Sequence, residues 1–130
     1  MQKLNYQDKY PITEIRLLKA QSARKTIDEV VGYFQERIAA NEKAVHIATF
    51  DHFAHTQRIG GEINPEILGA MNVVFCFGKV LPDAQVMALR PRSIAVTEMA
   101  DQFVVSFMDA PIQAAHETMC SWVLDLFNEN

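Results

Sequence analysis

The sequence predicts an α+β fold, in which an antiparallel or mixed β-sheet of about five strands carries two main helices on one face. Two long segments, residues 22–41 and 111–130, place apolar side chains at helical spacing. Five shorter segments are instead rich in β-branched and aromatic residues, which is typical of strands. The predicted order is β-α-β-β-(short α)-β-β-α, which is neither a repeated βαβ pattern nor an all-β pattern.

The composition sets limits on the class of protein. The chain has 130 residues, of which 49% are hydrophobic and 22% are charged, and we expect one domain over residues 1–130. The net charge of −4, without a basic tail, argues against nucleic acid as a partner. No apolar run approaches the roughly 20 residues that a membrane span requires, so no membrane partner is predicted.

The amino terminus and the cysteines favour a cytoplasmic protein. The first ten residues, "MQKLNYQDKY", lack the apolar core of a secretion signal. The two cysteines, Cys76 and Cys120, both lie among apolar residues. This pattern is typical of buried thiols in a reducing compartment rather than of a disulfide framework.

The first half of the chain shows a strand, a helix and a second strand. The segment "YPITEIRLLKA" indicates the first strand, and "AVHIATF" indicates the second. Between them Thr26 and Glu29 form a capping box, and Asn41 is a plausible helix stop. The apolar stripe of this helix comprises Ile27, Val30, Val31, Phe34 and Ile38.

The second half adds three strands and a final helix. "NVVFCFG" is the strongest strand, and "RSIAVTEM" and "QFVVSFM" predict a hairpin that turns at Ala100-Asp101. "PDAQVMAL" predicts a short helix, and Pro111 begins the last helix. The predicted stripe of the last helix comprises Ile112, Ala115, Met119, Val123 and Leu126.

Several motifs together resemble the bacterial family called domain of unknown function 302. They occupy residues 45–111 in family order, and they are Asp51-His52, Ala54, Gly60, Pro65, Phe77-Gly78, Glu98 and Pro111. The resemblance implies a small α+β domain that pairs as a homodimer, but no settled activity, so it bears on fold more than on function. This chain departs from the family at Lys79-Val80 and at Arg90-Pro91-Arg92, where the family often has Asn-Pro and Leu-Pro.

The first candidate site is the polar stretch "TFDHFAHTQRIGGEINPE", residues 49–66. If it turns helically, His52 and His55 share one face. Three alternatives follow: the two histidines and Asp51 bind a divalent metal, Asp51 orients a histidine as a general base, or Asp51 caps the turn. Arg58, in the same stretch, joins an anion site at Arg90-Pro91-Arg92 if this loop and the Arg-Pro-Arg loop meet at one edge of the sheet. The Gly60-Gly61 pair lacks the rest of a phosphate loop and predicts a sharp reversal with positive φ.

The second candidate site is Arg90-Pro91-Arg92, where two guanidinium groups bracket a proline and suit a carboxylate or phosphate. Pairing with Glu98 or Asp83 is the structural alternative. His116 and Cys120 have the i, i+4 spacing of a chelating pair, but their apolar neighbours favour simple packing. No metal and no cofactor is predicted, because the chain lacks a standard metal-binding or cofactor motif.

The sequence thus favours a non-enzymatic, homodimeric binding or interaction domain with a small anionic or polar ligand. The candidate ligand-binding residues are Asp51, His52, His55, Arg58, Arg90 and Arg92. The strands "MNVVFCFG" and "FVVSFM" are apolar on both faces. Helices on one side of the sheet cover one face only, so we predict that a dimer buries the other face. The alternative is a small enzyme that uses Asp51 with His52 or His55 as an acid/base pair.

Overall fold

The computed structural model describes residues 1–129, and its centre is one antiparallel β-sheet. The strands are β1 (Gln2–Tyr6), β2 (Tyr10–Leu18), β3 (Ala44–Asp51), β4 (Gly69–Phe77), β5 (Arg92–Glu98) and β6 (Gln102–Met108). The helices are α1 (Ile27–Ala39), α2 (His52–Arg58) and α3 (Gln113–Phe127), with a short 3-10 helix at Gln85–Ala88. The order in the sheet is β1-β2-β6-β5-β4-β3, and every neighbouring pair is antiparallel. The predicted α+β class is therefore confirmed, and the sheet is antiparallel rather than mixed.

The predicted strand count is too low by one, because the sequence does not indicate β1. Its sequence "QKLNY" is polar, and nearly all of it is exposed, so it lacks the apolar alternation that marks a strand. The strand exists because a tight turn folds it back along β2. Gln7 and Asp8 in that turn both have positive φ, 53° and 58°, as in a type I′ hairpin turn.

One face of the sheet is covered by α1 and α3 and holds the hydrophobic core. Inward residues of the four central strands are buried there, and they include Phe75, Ile94 and Phe103. From α1 the side chains of Val30, Phe34 and Ile38 complete the core as the predicted stripe. From α3 the buried residues are Met119, Trp122, Val123 and Leu126.

α1 begins where its predicted capping box places it, whereas α3 begins later than predicted. α1 begins after Thr26, whose side-chain oxygen accepts a hydrogen bond from the Glu29 backbone N–H at 3.1 Å, as the capping box requires. The Glu29 carboxylate in turn accepts a hydrogen bond from the Lys25 N–H at 3.2 Å, one residue earlier than in the standard box. α3 begins at Gln113, so Ile112 precedes the helix and is exposed rather than part of the core stripe. The predicted last residue of this helix, Asn130, lies outside the described residues.

The other face of the sheet, which we call the open face, carries α2 at one corner. Alternation along the strands places on it Val45 and Phe50 of β3, Asn72, Val74 and Cys76 of β4, Ser93 and Ala95 of β5, and Val104, Ser106 and Met108 of β6. Val74, Cys76 and Val104 are half-buried, whereas Val45 and Met108 are exposed. Within residues 1–129, none of the helices has the length and apolar character needed to cross a membrane.

Candidate functional site

The structure separates the two groups of candidate residues. Asp51, His52, His55 and Arg58 lie where β3 ends and α2 begins. Arg90 and Arg92 lie at the opposite end of β4, because Arg92 pairs with Phe75 whereas Asp51 pairs with Met71. At about 3.3 Å per residue, Asn72 beside α2 is roughly 17 Å along the strand from Phe77 beside the arginines. The two groups cannot form one pocket.

Asp51 is the N-cap residue of α2. Its Oδ1 accepts a hydrogen bond from the Ala54 backbone N–H at 2.9 Å, which satisfies one of the free donors of the first turn. Within residues 1–129, no hydrogen bond joins this carboxylate to His52 or His55, so it does not orient either imidazole as the partner of a general base would.

His52 and His55 belong to an aromatic cluster on the open face. Their ring centroids are 6.1 Å apart, and each lies within 5.3 Å of the Phe50 ring. His52 Nδ1 lies 3.0 Å from the side-chain oxygen of Asn72, which fixes the ring against β4. Arg58 is exposed in the last turn of α2, where a positive charge complements the helix dipole. In the part of the chain that the structure describes, no three histidine, cysteine or acidic side chains are placed to share a metal ion.

The arginines instead face a cavity of about 250 Å³ between the start of α3, the end of α1 and the end of β4. Apolar side chains form much of its wall, notably Phe77, Leu89, Ile112 and Ala115. Three cationic residues also line it, namely Lys43, Arg90 and Arg92. We call this space the cationic cavity.

Arg92 lies where β5 and β6 separate. The last paired residues of these strands are Ala95 and Ser106, and beyond them the Arg92 Nη2 donates a hydrogen bond to the Met108 carbonyl oxygen. The Arg92 Nε is buried and has no partner among the described residues. Burial lowers the pKa of the Arg92 guanidinium, and the negative charge of Asp109 opposes that shift. A partly desolvated cation that has an unpaired donor favours the approach of an anion.

Arg90 is held against a glycine. Its Nη1 donates a hydrogen bond to the Val80 carbonyl oxygen at 2.8 Å. Gly78 has a φ of +84°, and a Cβ atom on it would lie only 3.0 Å from the Arg90 Nη2. Gly78 therefore permits both the turn after β4 and the close approach of this guanidinium.

In the part of the chain that the structure describes, no carboxylate forms an ion pair with the cations of the cavity, although the charge of Asp109 acts on Arg92 from farther away. Within residues 1–129, no carboxylate oxygen lies within 4.0 Å of a side-chain nitrogen of Lys43, Arg90 or Arg92. The acids considered as partners from the sequence are engaged elsewhere. Glu98 pairs with Lys19 at 2.7 Å, and Asp83 accepts a hydrogen bond from the Val86 N–H at 2.8 Å.

A further polar cluster adjoins the cavity and is not indicated by the sequence. Lys3 donates to Thr13 Oγ1 at 2.7 Å, and Thr13 donates to Asp109 Oδ1 at 2.7 Å. The Ala110 N–H donates to His116 Nδ1 at 3.2 Å. Only the spacing of His116 and Cys120 is visible in the sequence, because the other members come from strands far away in the chain.

The thiol of this cluster is not an activated nucleophile. His116 Nδ1 accepts a hydrogen bond from the Ala110 N–H, and His116 Nε2 lies 3.0 Å from Lys3 Nζ and 3.5 Å from the Cys120 sulfur. Burial raises the pKa of the Cys120 thiol, although the positive charge of Lys3 opposes this. A raised pKa lowers the fraction of thiolate, the reactive form, so His116 and Cys120 do not form a catalytic dyad of the usual kind.

These features define an α+β protein with a six-stranded antiparallel sheet and an unpaired cationic cavity at one end of its core. The chain belongs to the family described as Family of unknown function (DUF6858), whose model matches residues 1–128. The more specific resemblance, to domain of unknown function 302, is not confirmed by this match. Searches among curated proteins and among solved structures found no match. The description of the family states no activity, so function must be argued from the site.

Proposed function

We propose that the protein is a non-enzymatic binding domain that holds a small anionic ligand in the cationic cavity. The observation that carries the proposal is the placement of Lys43, Arg90 and Arg92 around one apolar-walled space without a carboxylate partner among the described residues. Three unpaired cations repel one another, and the chain as a whole has a net charge of −4. A bound anion relieves that repulsion, and the low polarity of the walls strengthens its attraction to the cations.

The first turn of α3 supports the same proposal. Its N-cap residue is Ile112, which makes no side-chain capping bond, so the free N–H groups of this 15-residue helix lack the usual acceptor. Ala114 and Ala115 in that turn line the cavity. The positive end of the helix dipole therefore adds to the field of the three cationic side chains.

Thermal unfolding with added anions at constant ionic strength tests this proposal. A ligand at one hundred times its Kd stabilises the folded state by about 2.7 kcal/mol, which is a Tm increase of roughly 10 °C for a chain of this size. We expect such an increase with carboxylate or phosphate ligands in the wild type, and a much smaller one in Arg92→Gln. Arg58→Gln is the matched control, since Arg58 is exposed on α2 and does not line the cavity. Equal responses in both variants, or no response in the wild type, would refute the proposal.

A non-enzymatic role fits the other candidate group better than acid/base chemistry does. Asp51 is engaged as a helix cap, and the two histidines pack with Phe50 rather than lining the cationic cavity.

Cys76 and Cys120 are both free thiols, which supports the cytoplasm as the proposed location.

We also propose that the protein forms a homodimer through β3. This strand is at one edge of the sheet, and Val45, Ile47 and Phe50 are 62%, 55% and 39% exposed. The segment from Val45 to Phe50 carries no Asp, Glu, Lys or Arg, so two copies can meet there without like-charge repulsion. An isologous contact would cover these side chains in both copies at once.

Light scattering tests the dimer. We expect a particle of twice the 14.7 kDa chain mass for the wild type and a monomer for Val45→Lys. Leu124→Lys is the control, because Leu124 is an exposed apolar residue on α3, in the helix layer that covers the opposite face of the sheet. A wild-type protein that stays at 14.7 kDa at high concentration would exclude the dimer.

A further inference from the structure

We infer that the ligand of the cationic cavity is a compact aromatic monocarboxylate of about the size of benzoate or phenylacetate. This inference rests on the proposed function, because it assumes that an anion binds there. It adds that the anion carries one apolar ring and one carboxylate.

The volume of the cavity suits one buried ring. The cavity measures about 250 Å³, whereas a cavity of about 150 Å³ is enough to hold benzene. Roughly 100 Å³ then remains, which corresponds to about three water molecules at about 30 Å³ each. That space suits a carboxylate with a short spacer.

The walls favour an apolar body over an inorganic ion. Phe77 is fixed in place because its ring stacks on Trp122, with centroids 5.7 Å apart and planes inclined by 24°. Ile112 is 47% exposed although it lines the cavity, so a bound ring would remove an exposed apolar surface from water. Phosphate or sulfate would leave these walls wet and would gain only the attraction of the charges.

The cations favour one carboxylate. The Arg90 and Arg92 guanidinium groups are each held by a backbone carbonyl oxygen, that of Val80 and that of Met108. Their orientation is thus set before a ligand arrives, which reduces the entropy lost on binding. A planar carboxylate matches the planar guanidinium fork, and Lys43 adds a flexible point charge.

Isothermal titration of the wild-type protein with five compounds tests the class of ligand. The compounds are benzoate, acetate, succinate, inorganic phosphate and benzyl alcohol, all at one ionic strength. Burial of the ring predicts that benzoate binds roughly 10- to 100-fold more tightly than acetate. Benzyl alcohol has the ring without the charge, and we expect it to bind at least 10-fold more weakly than benzoate.

Variants of the wall separate the ring from the charge. Ala115→Leu fills part of the cavity and should lower benzoate affinity at least 10-fold, with little effect on acetate. Ser121→Leu is its control, since Ser121 is exposed on the same helix and does not line the cavity. Leu89→Ala removes part of the wall at the surface and should weaken benzoate binding severalfold even if Ala115→Leu does not fold.

The outcomes distinguish this inference from the proposed function. If the wild type prefers benzoate to acetate and the wall variants lose that preference, both the aromatic monocarboxylate and the proposed anion binding are supported. Equal affinity for acetate, benzoate and phosphate, or tighter binding of succinate, overturns the aromatic monocarboxylate but leaves anion binding intact. Benzyl alcohol that binds as well as benzoate overturns the role of the cations. A wild-type protein that binds none of the four anions overturns the proposed function itself.

Discussion

The side chain of Arg92 donates a hydrogen bond to the backbone carbonyl oxygen of Met108, across the point where β5 and β6 separate. The ladder between these strands ends at the pair Ala95 and Ser106, so the Met108 carbonyl has no partner on β5. Arg92 supplies that partner and at the same time presents a guanidinium group to the cationic cavity. One residue therefore connects the end of the sheet to the proposed ligand site.

Replacement of Arg92 by methionine should affect stability and ligand response together. The change keeps an apolar stem but removes the donor to Met108, and loss of such a hydrogen bond costs about 1 kcal/mol. Removal of a desolvated cation offsets part of this cost. We expect a decrease of no more than about 1 kcal/mol in the free energy of unfolding in urea, but complete loss of the stabilisation by benzoate. Arg58→Met should change neither quantity, and a benzoate response that survives in Arg92→Met would contradict the assignment.

Two substitutions of Asp51 test whether its side chain stabilises the protein as a helix cap or through its charge. Asn is as good an N-cap residue as Asp, whereas Ala at this position costs about 1 kcal/mol. We therefore expect Asp51→Asn to keep the stability of the wild type and Asp51→Ala to lower it by about 1 kcal/mol, as measured by chemical denaturation. Equal losses in the two variants would show that the charge, rather than the cap, is what stabilises this corner.

The two glycines with positive φ form a matched pair for testing the Arg90 contact. Gly78 has a φ of +84° and faces the Arg90 guanidinium, whereas Gly60 has a φ of +71° and open space within 4 Å of the point that a Cβ atom would occupy. Alanine at either position strains the backbone by about 1–2 kcal/mol. Only Gly78→Ala should also displace Arg90 and reduce benzoate affinity in calorimetry. A similar loss of affinity in Gly60→Ala would mean that the effect comes from general destabilisation.

The elements that the sequence predicts correctly are those with strong periodic patterns. The stripe of α1 and the alternating residues of β4 follow from burial on one face, which the sequence displays directly. Gly60 adopts the positive φ that the glycine pair predicts, and the hairpin turns at Ala100-Asp101. β1 is not predictable in this way, because its pairing with β2 uses backbone hydrogen bonds and little apolar burial.

The site is less accessible to prediction than the fold. Arg90 and Arg92 are candidates because of their spacing, but Lys43 belongs to the loop after α1 and reaches the same cavity only through the tertiary fold. The sequence suggests Arg58 as a further candidate beside them, whereas the sheet keeps it at the opposite end. The order of the strands in the sheet decides which loops meet, and no local sequence pattern predicts that order.

The Cys120 thiol should react slowly with an alkylating reagent. Burial raises its pKa, so at neutral pH the thiolate fraction is smaller than that of an ordinary cysteine. We expect the alkylation rate of Cys120, measured in Cys76→Ser by mass spectrometry, to be well below that of a cysteine in a short peptide. Lys3→Met removes the charge that opposes the raised pKa and should slow the reaction further. Reaction faster than that of the peptide would indicate an activated thiol and would contradict the raised pKa of Cys120.

Tyr33 should make the protein less stable at alkaline pH. Its hydroxyl donates a hydrogen bond to the Trp122 carbonyl oxygen at 2.5 Å, and the guanidinium carbons of Arg24 and Arg37 lie 5.0 and 5.8 Å from the centroid of its ring. Burial raises the pKa of Tyr33 to about 12, although both arginines oppose the shift. The folded state therefore holds this proton more tightly than the unfolded state, whose tyrosine pKa is about 10.

The stability that this proton contributes is fully present below about pH 10 and is lost as the pH rises toward 12. The two-unit difference corresponds to a decrease on the order of 2–3 kcal/mol in the free energy of unfolding. Tyr33→Phe should cost about 1 kcal/mol at neutral pH, because the Trp122 carbonyl loses a donor, but its stability should change less over the alkaline range. Tyr10→Phe is the control, since Tyr10 is an exposed tyrosine. Parallel losses of stability in the wild type and in Tyr33→Phe, followed by urea denaturation at a series of pH values, would assign the alkaline transition to another group.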